Sequence, residues 1–483
     1  GNSRTAIARR VGIDRRALAA TRFLLGTLLL VDLLLRSRHL VTFYTDRGVL
    51  PRAVLRATRP TISTLSIHAL WGSATAQAIL FVLAGVAAVA LALGYRTRLA
   101  TLVSFVLLLS LHARNPIVLN GGDSLLRRVL LWGLFLPLGG RWSLDALWRE
   151  EGDSDRNDTP DSDDVERNSL VSSVATTGLL LQVVLVYATN AVVKFRGTAW
   201  PSGRAVRLVF RLDRFTVLLG DSLVGATALL TAIDWLWLTL LVCSPLLLVV
   251  TGRARTTLAA AFAAGHLSMA LTMRLGIFPF VSTTALLPFL HGGVWDRIER
   301  SGPVQWLSAA VDRWLLGRWT GRSFQPSLSR SLTHSIPVIR RIGSMLATVL
   351  LVFLVVWNAA ALGFVQPPEN TGVSPEEYRW DMFAPYPPGE VTWFLAPGTL
   401  TDGSRVDAYA MSDLDWTRPP DTTRTYPSVR WRLVSVHAGI GRTRPDSTTS
   451  RCTHSHRTCD RTEPDRPSGR DSSVTTVRGE RIA

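Results

Sequence analysis

The apolar residues of this chain come in long unbroken blocks, and its arginines stand at the ends of those blocks. No other feature narrows the fold as much. A helix that crosses a bilayer needs about 20 consecutive apolar residues. Blocks of that kind run over 17–36, 74–94, 99–113, 124–139, 169–193, 226–250, 256–274, 279–291 and 342–364. The third, fourth and eighth are short for a full crossing, so eight or nine spans are expected. Charged residues make up only 18% of the chain, against about 25% in a soluble domain. The expected fold class is an all-α polytopic membrane bundle.

The net charge of +17 raises the question of nucleic acid. The placement of the charge argues against that partner. Arginines sit at block ends and in one long loop, where a membrane chain keeps them for orientation. They do not form a basic patch interleaved with aromatics on a soluble fold. Arg9, Arg10, Arg15, Arg16, Arg96, Arg98, Arg253, Arg255 and the arginines of 292–341 share one side if there are nine spans. This predicts a plasma-membrane protein with a cytoplasmic N-terminus and an extracytoplasmic C-terminal domain. One loop disagrees: Arg36, Arg38, Arg47, Arg52, Arg56 and Arg59 fall on the outer side.

The blocks divide the chain. Residues 1–150 form a first half-bundle and 169–291 a second, joined by an acidic linker, 151–168, that lacks apolar periodicity. A basic cytoplasmic loop, 292–341, leads to a last span, 342–364. Residues 365–433 read as a small β-containing domain, because TDGS at 401–404 separates apolar runs as a hairpin turn would. From 434 to 483 large apolar residues are scarce, and a disordered tail is expected. Within it Cys452, His454, His456 and Cys459 offer four metal-type ligands. In so biased a tail such a run arises by chance, so no metal is expected. With Cys243 there are three cysteines, too few for a disulfide framework.

Lys194 is the sole lysine; every other basic side chain is an arginine. Lysine can lose its proton once desolvated, and arginine cannot. Lys194 therefore reads either as a candidate base or as a snorkelling residue at the outer end of its span. Tyr187 and Asn190 lie seven and four residues before it, on the same helix face. They suit hydrogen bonds to an amine or a ligand oxygen, or polar contacts between helices. His266 is the second candidate for handling protons. Arg22, Asp32, Asp234 and Arg274 are intramembrane charges for which structural pairing is favoured. Arg22 and Asp32 are close to three turns apart and face one side of their helix. Asp123 and Arg127 suggest a local ion pair and an N-terminal cap where the fourth helix opens.

Five stretches in order resemble the HTTM membrane domain, the family that includes vitamin K-dependent gamma-carboxylases. They are FYTDRGVLPR (43–52), ARNPIVLNGGDSLLRRVLLWGLFLPLGGRWSLDA (113–146), YATNAVVKFRGTAWPSGRAV (187–206), GHLSMALTMRLGIFPF (265–280) and YRWDMFAPYPP (378–388). The likeness covers 17–433. It implies that Lys194 is the base that deprotonates a reduced vitamin K or menaquinone. In the family's carboxylases, oxygen then drives epoxide formation, a glutamate loses its γ-proton, and the carbanion captures CO2. The resemblance makes His112, Asn115, Asn120, Asp123, Tyr187, Asn190 and Trp200 candidate quinol-binding residues. One departure matters: the carboxylases carry a catalytic histidine in the stretch corresponding to NPIVLNGGDSLL, and this chain has none there. Two classes of function follow, with membrane lipid around either. One is quinol chemistry with O2 and CO2, on a protein substrate the sequence does not name. The other is a non-enzymatic membrane protein that binds lipid or a partner on the same fold.

Overall fold

The computed structural model describes residues 2–153, 170–301, 336–366 and 374–439 apart from 396, 401, 408, 411 and 427, together with 451–453, 458–460 and 475–481. The described chain is mostly helical. Its principal helices are α1 (Arg15–Ser37), α2 (Ala74–Leu93), α3 (Thr97–Arg114), α4 (Gly121–Gly133), α5 (Val174–Phe195), α6 (Thr227–Cys243), α7 (Gly252–Thr272), α8 (Phe278–Leu286), α9 (Ile336–Ala361) and α10 (Val429–Gly439). Among the described residues five helices are long and apolar enough to cross a membrane: α1, α2, α3, α5 and the Arg341–Ala361 part of α9. The remaining expected spans are shorter or less apolar. Helix α4 has 13 residues, α6 has 17 and α8 has 9. Helix α7 is long enough at 21 residues but carries Arg253, Arg255 and several small polar residues.

Local chemistry fixes where these helices begin. Asp14 caps α1 by accepting from the Arg16 amide. Asn120 and Asp123 form a reciprocal capping box on α4, and Ser173 and Thr176 form another on α5. Helix α2 ends on Gly94 at φ +70°, a left-handed cap that suits glycine. The cap that the sequence suggested for α4 is therefore present. The Asp123–Arg127 ion pair is not, because Asp123 is taken by other arginines described below.

Small residues bring the helices together. A Cβ at Gly26 of α1 would lie 2.5 Å from the Ala92 nitrogen and 2.7 Å from the Ala88 oxygen of α2. Backbones this close need glycine at the crossing. One leucine-rich core joins α1, α4, α5, α7 and α8. The outward side of α9 is different: the Arg341–Ala361 stretch is only 11% buried, and Val349, Val352 and Phe353 are exposed. A continuous exposed apolar face of this kind suits contact with lipid.

Outside the bundle the hairpin expected around Asp402 and Gly403 is present. Strand β1 (Ile13–Asp14) pairs with β2 (Leu170–Val171), and β3 (Glu390–Leu395) is followed by β4 (Pro397–Leu400) and β5 (Arg405–Asp407). Strands β4 and β5 run antiparallel, with Gly403 at φ +87° in the turn. Val391, Trp393 and Leu395 pack on Val209, Leu212 and Phe215, so this layer is seated on the bundle. Two boundaries differ from expectation. Helix α10 continues past 433 to Gly439. The tail, expected to be disordered, contains three short strands: Thr475–Arg481 pairs with β3, Arg451–Thr453 pairs with β4, and Thr458–Asp460 pairs with Arg451–Thr453. Strand pairing draws on backbone groups that every residue carries, so it does not need the large apolar side chains this tail lacks. His454 and His456 of the Cys/His run for which no metal is expected, the interior of the acidic linker and most of the basic loop lie outside the described residues.

Candidate functional site

Lys194 occupies the last turn of α5 and is 1% exposed. Its Nζ donates to the Met382 carbonyl at 3.1 Å and stands 3.2 Å from the centre of the Trp200 ring. Asn190, one turn earlier, donates its Nδ2 to the same carbonyl at 3.3 Å. The snorkelling alternative required the amine to reach out toward water. Here it is folded inward beneath the 380–383 segment. Among the described residues no carboxylate lies within ion-pair distance of it; Asp234 and Asp381 act on it from further away. Asp381 is next to Met382, and burial pushes its carboxyl up from the ordinary carboxylate range, with Arg379 opposing. Trp200 donates its indole N–H to the Phe383 carbonyl at 2.7 Å.

One further turn up α5, the Tyr187 hydroxyl is hydrogen-bonded to His266 Nε2 of α7 at 2.9 Å. Tyr187 is stacked on Phe262, with ring centres 4.4 Å apart, and Trp237 meets the imidazole edge-on. The Nδ1 of His266 is buried without a hydrogen-bond partner. A buried polar atom without a partner calls for an explanation.

Lys194, Asn190, Tyr187, His266 and Trp200 share one cavity of about 530 Å³. Its other walls are apolar or aromatic and include Trp237, Phe278 and Trp380, with the buried Ser282 hydroxyl as a further unpaired polar group. Sites for small organic ligands have this character: apolar walls with a few convergent polar groups. The sequence thus named five residues that the fold brings together, drawn from α5, α7 and the 196–203 turn.

The remaining candidates belong to a second cluster. Arg36 of α1 donates to Asp32 at 2.6 Å, to Asp123 at 2.7 Å and to the Tyr44 hydroxyl at 2.7 Å. Arg430 of α10 enters from outside the bundle and donates to Asp32 at 2.6 Å and to Asp123 at 3.0 Å. His112 is enclosed by this network, with its Nε2 3.4 Å from Arg36 and its Nδ1 3.3 Å from Arg127. Asp32, His112 and Asp123 are close enough together for a metal ion. Two guanidinium groups already satisfy both carboxylates, however, and the cluster reads as a closed ionic lock.

Asn115 supports the loop before α4 by donating to the Phe43 carbonyl at 2.8 Å, and Asn120 caps α4. Neither they, His112 nor Asp123 lines the Lys194 cavity. Met382 and Trp380 pack against Gly121, between that loop and the cavity.

The other intramembrane charges are engaged separately. Arg22 does not pair with Asp32; it donates to the carbonyls of Leu138, Arg141 and Trp142. Asp234 accepts from the Val206 amide at 3.1 Å, holding the turn after Trp200. Arg274 follows the end of α7 and donates to the Thr216 carbonyl at 3.2 Å, outside the helix where it was expected. Two arginines of the discordant 36–73 loop are also accounted for: Arg36 is in the lock, and Arg52 pairs with Asp46 at 2.7 Å. Sequence reasoning missed Arg36, Arg430, Trp380 and Met382. The YRWDMFAPYPP stretch was noted as a whole, and a backbone carbonyl leaves no residue-type signal.

No family model, no curated protein and no solved structure matches this chain.

Proposed function

We propose that this is a membrane protein of the HTTM type, and that the cavity beside Lys194 takes a reduced quinone such as menaquinol. Lys194 is the group that accepts the proton of a ring hydroxyl. The observation that carries this reading is the position of the sole lysine, buried in the wall of an apolar, aromatic-sided cavity. The residues fit such a ligand. Trp237, Phe278 and Trp380 offer faces for a flat ring, and Ser282 and His266 Nδ1 are buried polar groups that a ring oxygen would satisfy.

A bound quinol supplies a hydroxyl about as acidic as a phenol and two reducing electrons for oxygen. The chain supplies the rest. The Met382 carbonyl and the Trp200 ring hold Nζ in place, Phe262 holds Tyr187, and the aromatic walls exclude water. Glutamate carboxylation with CO2 is the fuller version of the chemistry. The 120–123 stretch lacks the histidine of the family's carboxylases, and His112 is held in the ionic lock. Quinol oxidation without carboxylation is therefore the form proposed, in a plasma membrane with a cytoplasmic N-terminus.

The test is oxygen-dependent oxidation of menaquinol by the purified chain. Lys194→Arg keeps the charge but removes the base. Lys194→Met fits the same space with neither. Both variants should stay monodisperse and lose oxidation; undiminished oxidation in Lys194→Arg would overturn the proposal. One observation favours a second reading. Lys194 Nζ is already engaged by Trp200 and Met382, which suits a latch in a non-enzymatic protein whose cavity holds a lipid chain. In that case Lys194 variants alter stability and no turnover is found in any variant.

A further inference from the structure

A second cleft, of about 500 Å³, opens at the end of the bundle where α1 begins and the α2–α3 turn lies. Its rim carries Arg96 and Arg98, both exposed, and among the described residues neither guanidinium has a carboxylate partner. The turn that bears them is fixed. The amides of Arg96 and Thr97 each donate to Asp145 at 2.8 Å, and Thr97 Oγ1 donates to it at 2.7 Å. Beside the rim Tyr95 and Trp148 meet edge to face, ring centres 5.7 Å apart, and both are exposed. Below the rim the cleft passes Leu99 and Thr101 of α3 and, facing them, Gly133 at the end of α4 with Leu136 and Pro137 of the turn that follows.

These features order a ligand from top to bottom: an anion between two arginines, an aromatic pair at headgroup depth, then an apolar slot between the start of α3 and the turn after α4. We propose that this cleft binds an anionic glycerophospholipid, its phosphate between Arg96 and Arg98 and an acyl chain past Leu99 and Leu136. A free phosphate shares the headgroup chemistry but makes no use of the apolar slot. The site lies apart from the Lys194 cavity, and its test does not depend on the quinol reading.

The experiment is native mass spectrometry of the full chain in detergent, titrated separately with phosphatidylglycerol and phosphatidylcholine and challenged with inorganic phosphate. Arg96 has φ +41°, so its variant should be asparagine, which tolerates that conformation better than most residues. The wild type should retain phosphatidylglycerol in preference to phosphatidylcholine. Arg96→Asn with Arg98→Gln should reduce that preference about 30-fold, since each cation near an anionic surface contributes about fivefold. Arg96→Lys with Arg98→Lys should restore most of it and serves as the folding control, and Arg253→Gln should leave it intact. Unchanged preference in the Asn/Gln variant overturns the site. Displacement by equimolar inorganic phosphate overturns the lipid assignment and makes the ligand a free anion.

Discussion

Lys194 Nζ lies over the face of Trp200, 3.2 Å from the ring centre, while the indole N–H of the same Trp200 donates to the Phe383 carbonyl at 2.7 Å. With the Lys194 bond to Met382, two neighbouring carbonyls of the 380–383 segment are tied to the end of α5 and the turn that follows it. This arrangement roofs the cavity and keeps the amine inside it.

Trp200→Ala removes both the ring face and the N–H. It should cost about 3–5 kcal/mol, the usual range for deleting a buried tryptophan. Trp200→Phe keeps a smaller ring face but loses the hydrogen bond and part of the buried ring, so an intermediate loss of about 1–3 kcal/mol is expected. Unfolding of the purified protein in detergent ranks the two. Equal losses would mean that the ring face contributes nothing.

Arg430 is the only residue of α10 that reaches the ionic lock among the described contacts, bridging Asp32 and Asp123. Arg430→Met leaves two buried carboxylates facing Arg36 alone. Breaking such a pair should cost about 3–5 kcal/mol. Hydrogen exchange should rise first in 429–439 and the adjoining strands, because Arg430 also ties that helix to the Val118 carbonyl at 2.8 Å. Unchanged protection there would refute the lock.

Gly26 marks a close approach of α1 and α2, with backbone atoms 2.5–2.7 Å from where a Cβ would stand. Gly26→Ala should destabilise by about 1–3 kcal/mol through overpacking. Gly85→Ala of α2 is the control, since a Cβ there meets only the Leu30 side chain at 3.9 Å. Similar melting of the two variants would show that the helices can separate freely.

How much of this was legible in the sequence depended on whether the signal was local. Apolar length placed α1, α2 and α3 within a few residues, because hydrophobic runs and their caps are read in one dimension. The Asp-Gly turn and the grouping of Tyr187, Asn190 and Lys194 were legible for the same reason: turn chemistry and helical spacing act over a few residues. The lock was not. Arg430 and Asp32 are 398 positions apart, and neither neighbourhood hints at the other. Asp123 looked like a partner for Arg127 because one helical turn separates them, yet a buried carboxylate goes to whichever guanidinium the fold places best. The count of eight or nine spans is not confirmed: among the described residues five helices have the length and apolarity of a crossing, while α4 and α8 are short and packed by neighbours.

The most direct test uses the single lysine. The intact protein in nanodiscs is treated with an amine reagent, and the Lys194 peptide is followed by mass spectrometry with and without menaquinol. The account predicts slow labelling that menaquinol slows further, while an apolar lipid without a quinol ring leaves it unchanged. Rapid labelling that menaquinol does not affect would contradict it, and Lys194 would then be an exposed lysine with no quinol beside it.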